Sequence, residues 1–119
     1  MIIDFDNMEE TRIPQFKGGE GDTIAKMRMD ELGKIMYGKL EPGSSIGFHK
    51  HETNSEIIYI LSGTADFLYD SGVEKASAGE CHYCPAGHSH SMINNSTEAL
   101  IFFAVVPNIF KNGENKSGV

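Results

Sequence analysis

Short segments rich in Ile, Val, Tyr, Phe and Thr alternate along this chain with clusters of turn residues: Pro14, Gly18-Gly19-Glu20-Gly21-Asp22, Glu41-Pro42-Gly43, Leu61-Ser62-Gly63, Asp70-Ser71-Gly72, Ala78-Gly79, Pro85-Ala86-Gly87 and Asn94-Asn95. Segments of roughly 5–10 residues punctuated in this way are the mark of an all-β sandwich or barrel. The pattern predicts strands over 23–29, 34–40, 45–51, 56–62, 64–69, 73–75, 80–84, 89–93 and 98–106, and no long helix. Asp70-Ser71-Gly72 reads as a hairpin turn, with Gly72 supplying the positive φ. The polar, glycine-containing end of the chain predicts a disordered tail.

Two segments break the alternation. Ile57-Ile58-Tyr59-Ile60-Leu61 and 100–106 are apolar at both parities, whereas a strand with one solvated face alternates. Their outer faces need a cover, which in a chain of 119 residues is either the first forty residues or a second copy. A homodimer is the expectation.

Composition narrows the function classes. The formal charge of −7, with no Lys/Arg cluster, argues against nucleic acid as a partner. The longest apolar run, 99–106, is far shorter than the roughly 20 residues of a spanning helix, and the first residues lack a basic flank and cleavage site. A soluble, cytoplasmic protein with no membrane association is expected. Cys81 and Cys84, the two cysteines, are too few and too close to staple the fold and read as reduced thiols.

His49-Lys50-His51 carries the most chemistry, because residues two apart on a strand share a face and both imidazoles can reach one ion. Glu56 follows after a gap that fits a tight turn and a return strand. Gly47, of the same parity as the histidines, leaves room beside such an ion. Pro85-Ala86-Gly87-His88-Ser89-His90 re-aims the chain into a strand that carries His90. Three imidazoles and one carboxylate suit one divalent transition metal: Fe, Mn, Ni, Co, Cu or Zn. The bland alternative for His49 and His51 is a pair of solvated surface histidines. A zinc site over Cys81-His82-Tyr83-Cys84 with His88 and His90 is disfavoured, since no second Cys pair exists and residues three apart on a strand face opposite sides.

These residues stand in a frame that resembles the cupin superfamily. Its first motif reads here Gly43-SSIGF-His49-K-His51-ETNS-Glu56-IIYILS-Gly63, and its second reads Gly79-ECHYC-Pro85-A-Gly87-HS-His90-SMI-Asn94. All ten defined positions match, and fifteen residues separate the motifs, as in small microbial single-domain cupins. The resemblance implies a small antiparallel double-sheet jelly-roll barrel with little helix, and metal ligands His49, His51, Glu56 and His90. It divides the chain into an N-terminal strand or arm (1–30), a cupin barrel (31–107) and a tail (108–119). His82 and Cys84 depart from it, standing where similar cupins carry aliphatic residues. His88, His82 and Tyr83 are the candidate catalytic proton carriers. The implied function is a metal-dependent enzyme on a small oxygenated molecule, of dioxygenase or sugar-isomerase type. The alternative is a non-catalytic module that binds or senses a small molecule or carbohydrate.

Overall fold

Every second residue of the apolar run Leu100–Pro107 is buried in the computed structural model, which describes residues 1–109. Leu100, Phe102, Ala104 and Val106 point inward, and Ile101, Phe103 and Val105 stand on the opposite face. Part of the cover for that second face comes from the N-terminal segment: Phe5 packs 5.7 Å from the Tyr37 ring and 6.1 Å from the Phe103 ring. Ile57, Tyr59, Leu61 and Tyr83 keep 39–55% of their surface exposed and form an apolar stripe on the outside.

Ten strands are present among the described residues: β1 (Thr11–Pro14), β2 (Asp22–Asp30), β3 (Gly33–Leu40), β4 (Ser45–Lys50), β5 (Glu56–Ser62), β6 (Thr64–Tyr69), β7 (Gly72–Ser77), β8 (Cys81–Cys84), β9 (Ser89–Ile93) and β10 (Leu100–Pro107). They form a six-stranded sheet, β1-β2-β3-β10-β5-β8, and a four-stranded sheet, β4-β9-β6-β7, with antiparallel pairing throughout. This is the expected double-sheet jelly roll. Phe67, Phe102, Met36, Leu40, Ile58, Ile60, Met92 and Leu100 fill the space between the sheets and are almost fully buried. The helical content among the described residues is two short 3-10 turns, Phe5–Asn7 and Phe16–Gly18, and no helix is long and apolar enough to cross a membrane.

Three details depart from expectation. Strand β1 is four residues long with one core-packed apolar side chain, Ile13, and ends in Pro14, too short a pattern to predict a strand; it forms as an edge strand, where the missing proline N–H costs no ladder bond. The positive φ of the β6–β7 turn belongs to Asp70 (52°) and not to Gly72, which lies in β7; an aspartate tolerates this region better than most residues. Strands β2 and β3 pair in full register from Thr23↔Leu40 to Asp30↔Gly33, and the strand expected over 23–29 is one residue longer at each end. Of the expected tail, Asn108 and Ile109 are tied down, their N–H groups donating to the Leu32 and Thr53 carbonyls; 110–119 lie outside the described residues.

Asn94, the last residue of the second motif, pins the loop before β10. Its fully buried amide donates to the Leu40 and Glu98 carbonyls at 2.9 and 2.8 Å, and its oxygen accepts from the Ser96 N–H and hydroxyl. Asn94→Ala removes four hydrogen bonds, each worth about 0.5–1.5 kcal/mol net, and takes a donor from the buried Leu40 carbonyl, while the Glu98 carbonyl keeps the Ser96 hydroxyl. We expect urea unfolding to report a loss of about 3 kcal/mol; a loss under about 1 kcal/mol would mean that water or loop repacking replaces the amide.

Candidate metal centre

The first half of the site depends on a β-bulge. Strand β4 pairs Ile46 with Met92 and then His49 with His90, so three steps on β4 oppose two on β9. The extra residue turns Ile46 and His49 to the same side and breaks the simple parity from Gly47 to the histidines. The room at Gly47 is therefore not beside an ion. A Cβ there would lie 2.0 Å from the Lys17 carbonyl oxygen, and one at Gly19 would lie 2.1 Å from the Ser45 carbonyl oxygen. These two glycines let the Phe16–Gly18 turn sit directly on β4. The second half is stitched to the first by backbone bonds: the His51 N–H donates to His88 at 3.0 Å, and the Gly87 N–H donates to His51 at 2.6 Å.

His49, His51, Glu56 and His90 converge, their ligand atoms lying within 4.8 Å of one another. His51 Nε2 is 3.2 Å from His49 Nε2 and 3.0 Å from His90 Nε2, and Glu56 Oε1 lies 3.2 and 3.0 Å from the Nε2 atoms of His51 and His90. His51, Glu56 and His90 are buried and His49 is half-buried. The far nitrogen of each ring has its own partner. Nδ1 of His49 meets the Gly47 carbonyl at 2.7 Å, Nδ1 of His51 meets Asn54 Oδ1 at 2.5 Å, and Nδ1 of His90 meets His82 Nε2 at 3.0 Å. When each Nδ1 donates, three Nε2 lone pairs and a carboxylate face one point with no proton between them. That donor set fits a divalent cation, and the four residues can hold one metal ion.

The electrostatics follow the same geometry. Without an ion, Nε2–H groups take its place: burial opposes the charged form of Glu56, yet hydrogen bonds from His51 and His90 outweigh it and hold the carboxyl down to about 2. His51 is raised, chiefly by its hydrogen bond to Glu56 and against its own burial. His49 is lowered, chiefly by burial.

A cavity of about 260 Å³ opens onto His49, His51 and Glu56. Phe16, Lys17, Lys34 and Lys50 also line it, with Glu52 and Asn54 from the turn between β4 and β5. Lys34 shares the inward parity of Met36, Gly38 and Leu40, and burial lowers its pKa, with Glu56 opposing and Lys17 adding to the effect. Its Nζ lies 5.3 Å from the Phe16 ring centroid, and that of Lys17 lies 5.6 Å away. The lysines were not anticipated, although a charged residue at an inward position of a strand was the available signal for Lys34. Lys17 reaches the cavity only through the turn that the two glycines admit.

None of the three proton-carrier candidates lines this cavity. Tyr83 stands on the outer face of the six-stranded sheet, because β8 turns His82 and Cys84 inward and Cys81 and Tyr83 outward. His82 lies behind His90, fully buried. His88 is half-exposed, bonds through Nδ1 to Asp70 Oδ2 at 2.6 Å and stacks on Tyr69. Both cysteines are free, and burial pushes the Cys84 thiol up to about 11, which leaves it unreactive.

The Asp70 carboxyl is held below its usual 3.8, first by His88 and then by the Ser89 N–H. A depressed folded-state pKa stabilises the fold above the unfolded value, and that contribution is lost as pH falls below 3.8. Asp70→Asn should flatten this part of the acid limb while keeping the turn. Melting temperatures followed from pH 6 to pH 2 check it, and a limb as steep as the wild type's would remove Asp70 from the account.

The chain matches the model of the cupin domain over residues 36–106 and belongs to the cupin family. It is 34% identical over 113 residues to the oxalate-binding protein of Thermotoga maritima, covering 89% of this chain and 93% of that one. Among solved structures, a predicted oxalate decarboxylase of Thermotoga maritima superposes with a TM-score of 0.86 at 30% identity, covering 92% of this chain and all of the other. KdgF from Halomonas superposes with a TM-score of 0.70 over 87% of this chain and 89% of its own, at 14% identity, a likeness of fold.

Proposed function

We propose that this cupin holds one divalent transition metal on His49, His51, Glu56 and His90, and that it acts there on a small oxygenated anion of the oxalate class. The observation that carries the reading is the cavity itself, which is lined by three of the four ligand residues, His49, His51 and Glu56, together with Lys17, Lys34 and Lys50. His49, His51, Glu56 and His90 would hold the ion through three imidazole nitrogens and a carboxylate, a donor set suited to a divalent transition metal, and the cavity beside them would admit a small dicarboxylate. When bound, the metal supplies Lewis-acid polarisation of the substrate's oxygens.

The chain's own residues do the rest. Lys34, inward and partly desolvated, and Lys17 at the rim supply positive charge for the carboxylate that faces away from the ion. Phe16 and Val106 give the cavity an apolar wall that excludes water from one side. Apart from the four ligands, Glu52, Lys17, Lys34 and Lys50 are the side chains lining the cavity that can exchange a proton with a bound molecule.

The Thermotoga maritima relative, named for binding oxalate, favours a second reading, a module that holds the anion without turnover. One experiment separates them. Protein loaded with Mn(II) or Fe(II) is incubated with ¹³C-oxalate and followed by NMR and by thermal shift. Appearance of ¹³C-labelled one-carbon products in solution, read after the metal is removed by chelation, supports the enzyme, and a raised melting temperature with oxalate intact supports the module. No effect by either measure would remove oxalate from the reading.

For the apolar stripe of Ile57, Tyr59, Leu61 and Tyr83 we propose a second copy of the chain as the cover. Sedimentation at micromolar concentration should give a dimer that Tyr59→Lys dissociates; a monomeric wild type would end this proposal.

A further inference from the structure

The two sheets each end in a free edge, β7 on the smaller and β8 on the larger, and one pair of side chains joins these edges. Glu74 Oε1 of β7 lies 2.5 Å from His82 Nδ1 of β8. The same imidazole places Nε2 3.0 Å from His90 Nδ1. The rings of His82 and His90 have centroids 5.2 Å apart and a tilt of 15°, the arrangement of two imidazoles joined edge to edge. Phe67 stacks on His82 at 3.9 Å and 15° and holds its plane. The His82 side chain is fully buried, whereas that of Glu74 is 49% exposed.

Donor and acceptor capacity fixes the protons along this chain of groups. A carboxylate only accepts, so His82 carries its hydrogen on Nδ1. A neutral imidazole has one N–H, so His82 Nε2 is an acceptor, and the hydrogen between the rings belongs to His90 Nδ1. With His90 neutral and an ion in place of a hydrogen between Nε2 and Glu56, that leaves the lone pair of His90 on Nε2, the atom that lies 3.0 Å from both His51 Nε2 and Glu56 Oε1. We infer that Glu74 and His82 are a positioning pair for His90, fixing its tautomer and strengthening it as a metal ligand from the protein surface inward. The inference rests on the four-residue group holding a metal.

The sister ligands show why such a pair is needed. The Nδ1 atoms of His49 and His51 meet oxygens that only accept, the Gly47 carbonyl and Asn54 Oδ1, and each selects the metal-binding tautomer unaided. The partner of His90 is another imidazole, which can donate or accept through the same atom. Glu74 removes that ambiguity. Outer partners of metal-bound histidines are worth about 10–100-fold in affinity when lost.

The test compares wild type, Glu74→Gln and His82→Leu by Co(II) affinity in competition with a chromophoric chelator and by the melting temperature of the metal-free protein. Glutamine can present either an oxygen or an N–H to His82 and so loses the selection. We expect Co(II) affinity to fall about 10–100-fold in His82→Leu and by a smaller factor, about 3–10-fold, in Glu74→Gln. Long-range ¹H–¹⁵N spectra of the zinc-loaded wild type should show His82 with its hydrogen on Nδ1. Variants that melt lower but bind Co(II) like wild type would reduce the pair to a staple between sheets and overturn the inference, as would a hydrogen on His82 Nε2. A wild type that binds no Co(II) at all would overturn the metal reading itself, an outcome distinct from either of these.

Discussion

Replacing His51 by alanine should cost the chain its metal. His51 Nε2 contacts three of the other ligand atoms in the group, those of His49, His90 and Glu56, at 3.0–3.2 Å. Among the described residues the one group placed to hold an ion is His49, His51, Glu56 and His90, so the variant is left with three ligands. The affinity loss should exceed the roughly 100-fold that removal of an outer partner can cost. Binding of Mn(II) or Co(II), followed by competition with a chelator, gives the number. An affinity within a few-fold of wild type would show that the ion is held by other residues. The fold should survive, since the core of Phe67, Phe102, Met36 and Leu40 does not include His51.

Lys34→Met should separate ligand binding from metal binding. Methionine keeps most of the stem that packs beside Phe16 and removes only the charge. A charge-assisted hydrogen bond contributes about 1.5–3 kcal/mol, so affinity for oxalate should fall about 10–100-fold while the metal content is unchanged. The counter-result is equally informative: unchanged oxalate affinity would mean that the ligand does not reach Lys34. A neutral sugar that stabilises wild type and Lys34→Met alike would move the substrate class away from anions.

Much of this was legible in the sequence because the ligand spacing has a direct geometric meaning. His49 and His51 are two apart on one strand, and Glu56 opens the next, so their convergence needs only strand geometry and a short turn. His90 was legible through the resemblance of the second motif. The β-bulge was not, since it depends on how β4 pairs with β9 and nothing in Ser45-Ile46-Gly47-Phe48 announces it. The role of Gly47 was consequently misjudged, and with it the arrival of Lys17 at the cavity. Strand β1 was missed because its formation is a tertiary event, the pairing of a four-residue segment with an edge that β2 offers and the packing of Ile13 on the core.

The proton-carrier candidates show the same limit from another side. His82, Tyr83 and His88 flank the ligand His90 in sequence, but strand alternation and turn geometry send the three rings to different places. Tyr83 goes outward, His82 goes behind the ligand and His88 goes to the Asp70 turn. Sequence proximity to a ligand therefore said little about access to the cavity. His82 was legible only as a departure from an aliphatic pattern, and its partner Glu74 lies on a different strand in the other sheet.

The most direct test of the four-residue centre is elemental analysis of tag-free protein, purified without added metal and again after reconstitution, beside His51→Ala treated identically. The account predicts about one equivalent of a divalent transition metal per wild-type chain and almost none in the variant. A wild type without metal even after reconstitution, or a variant that retains a full equivalent, would contradict it.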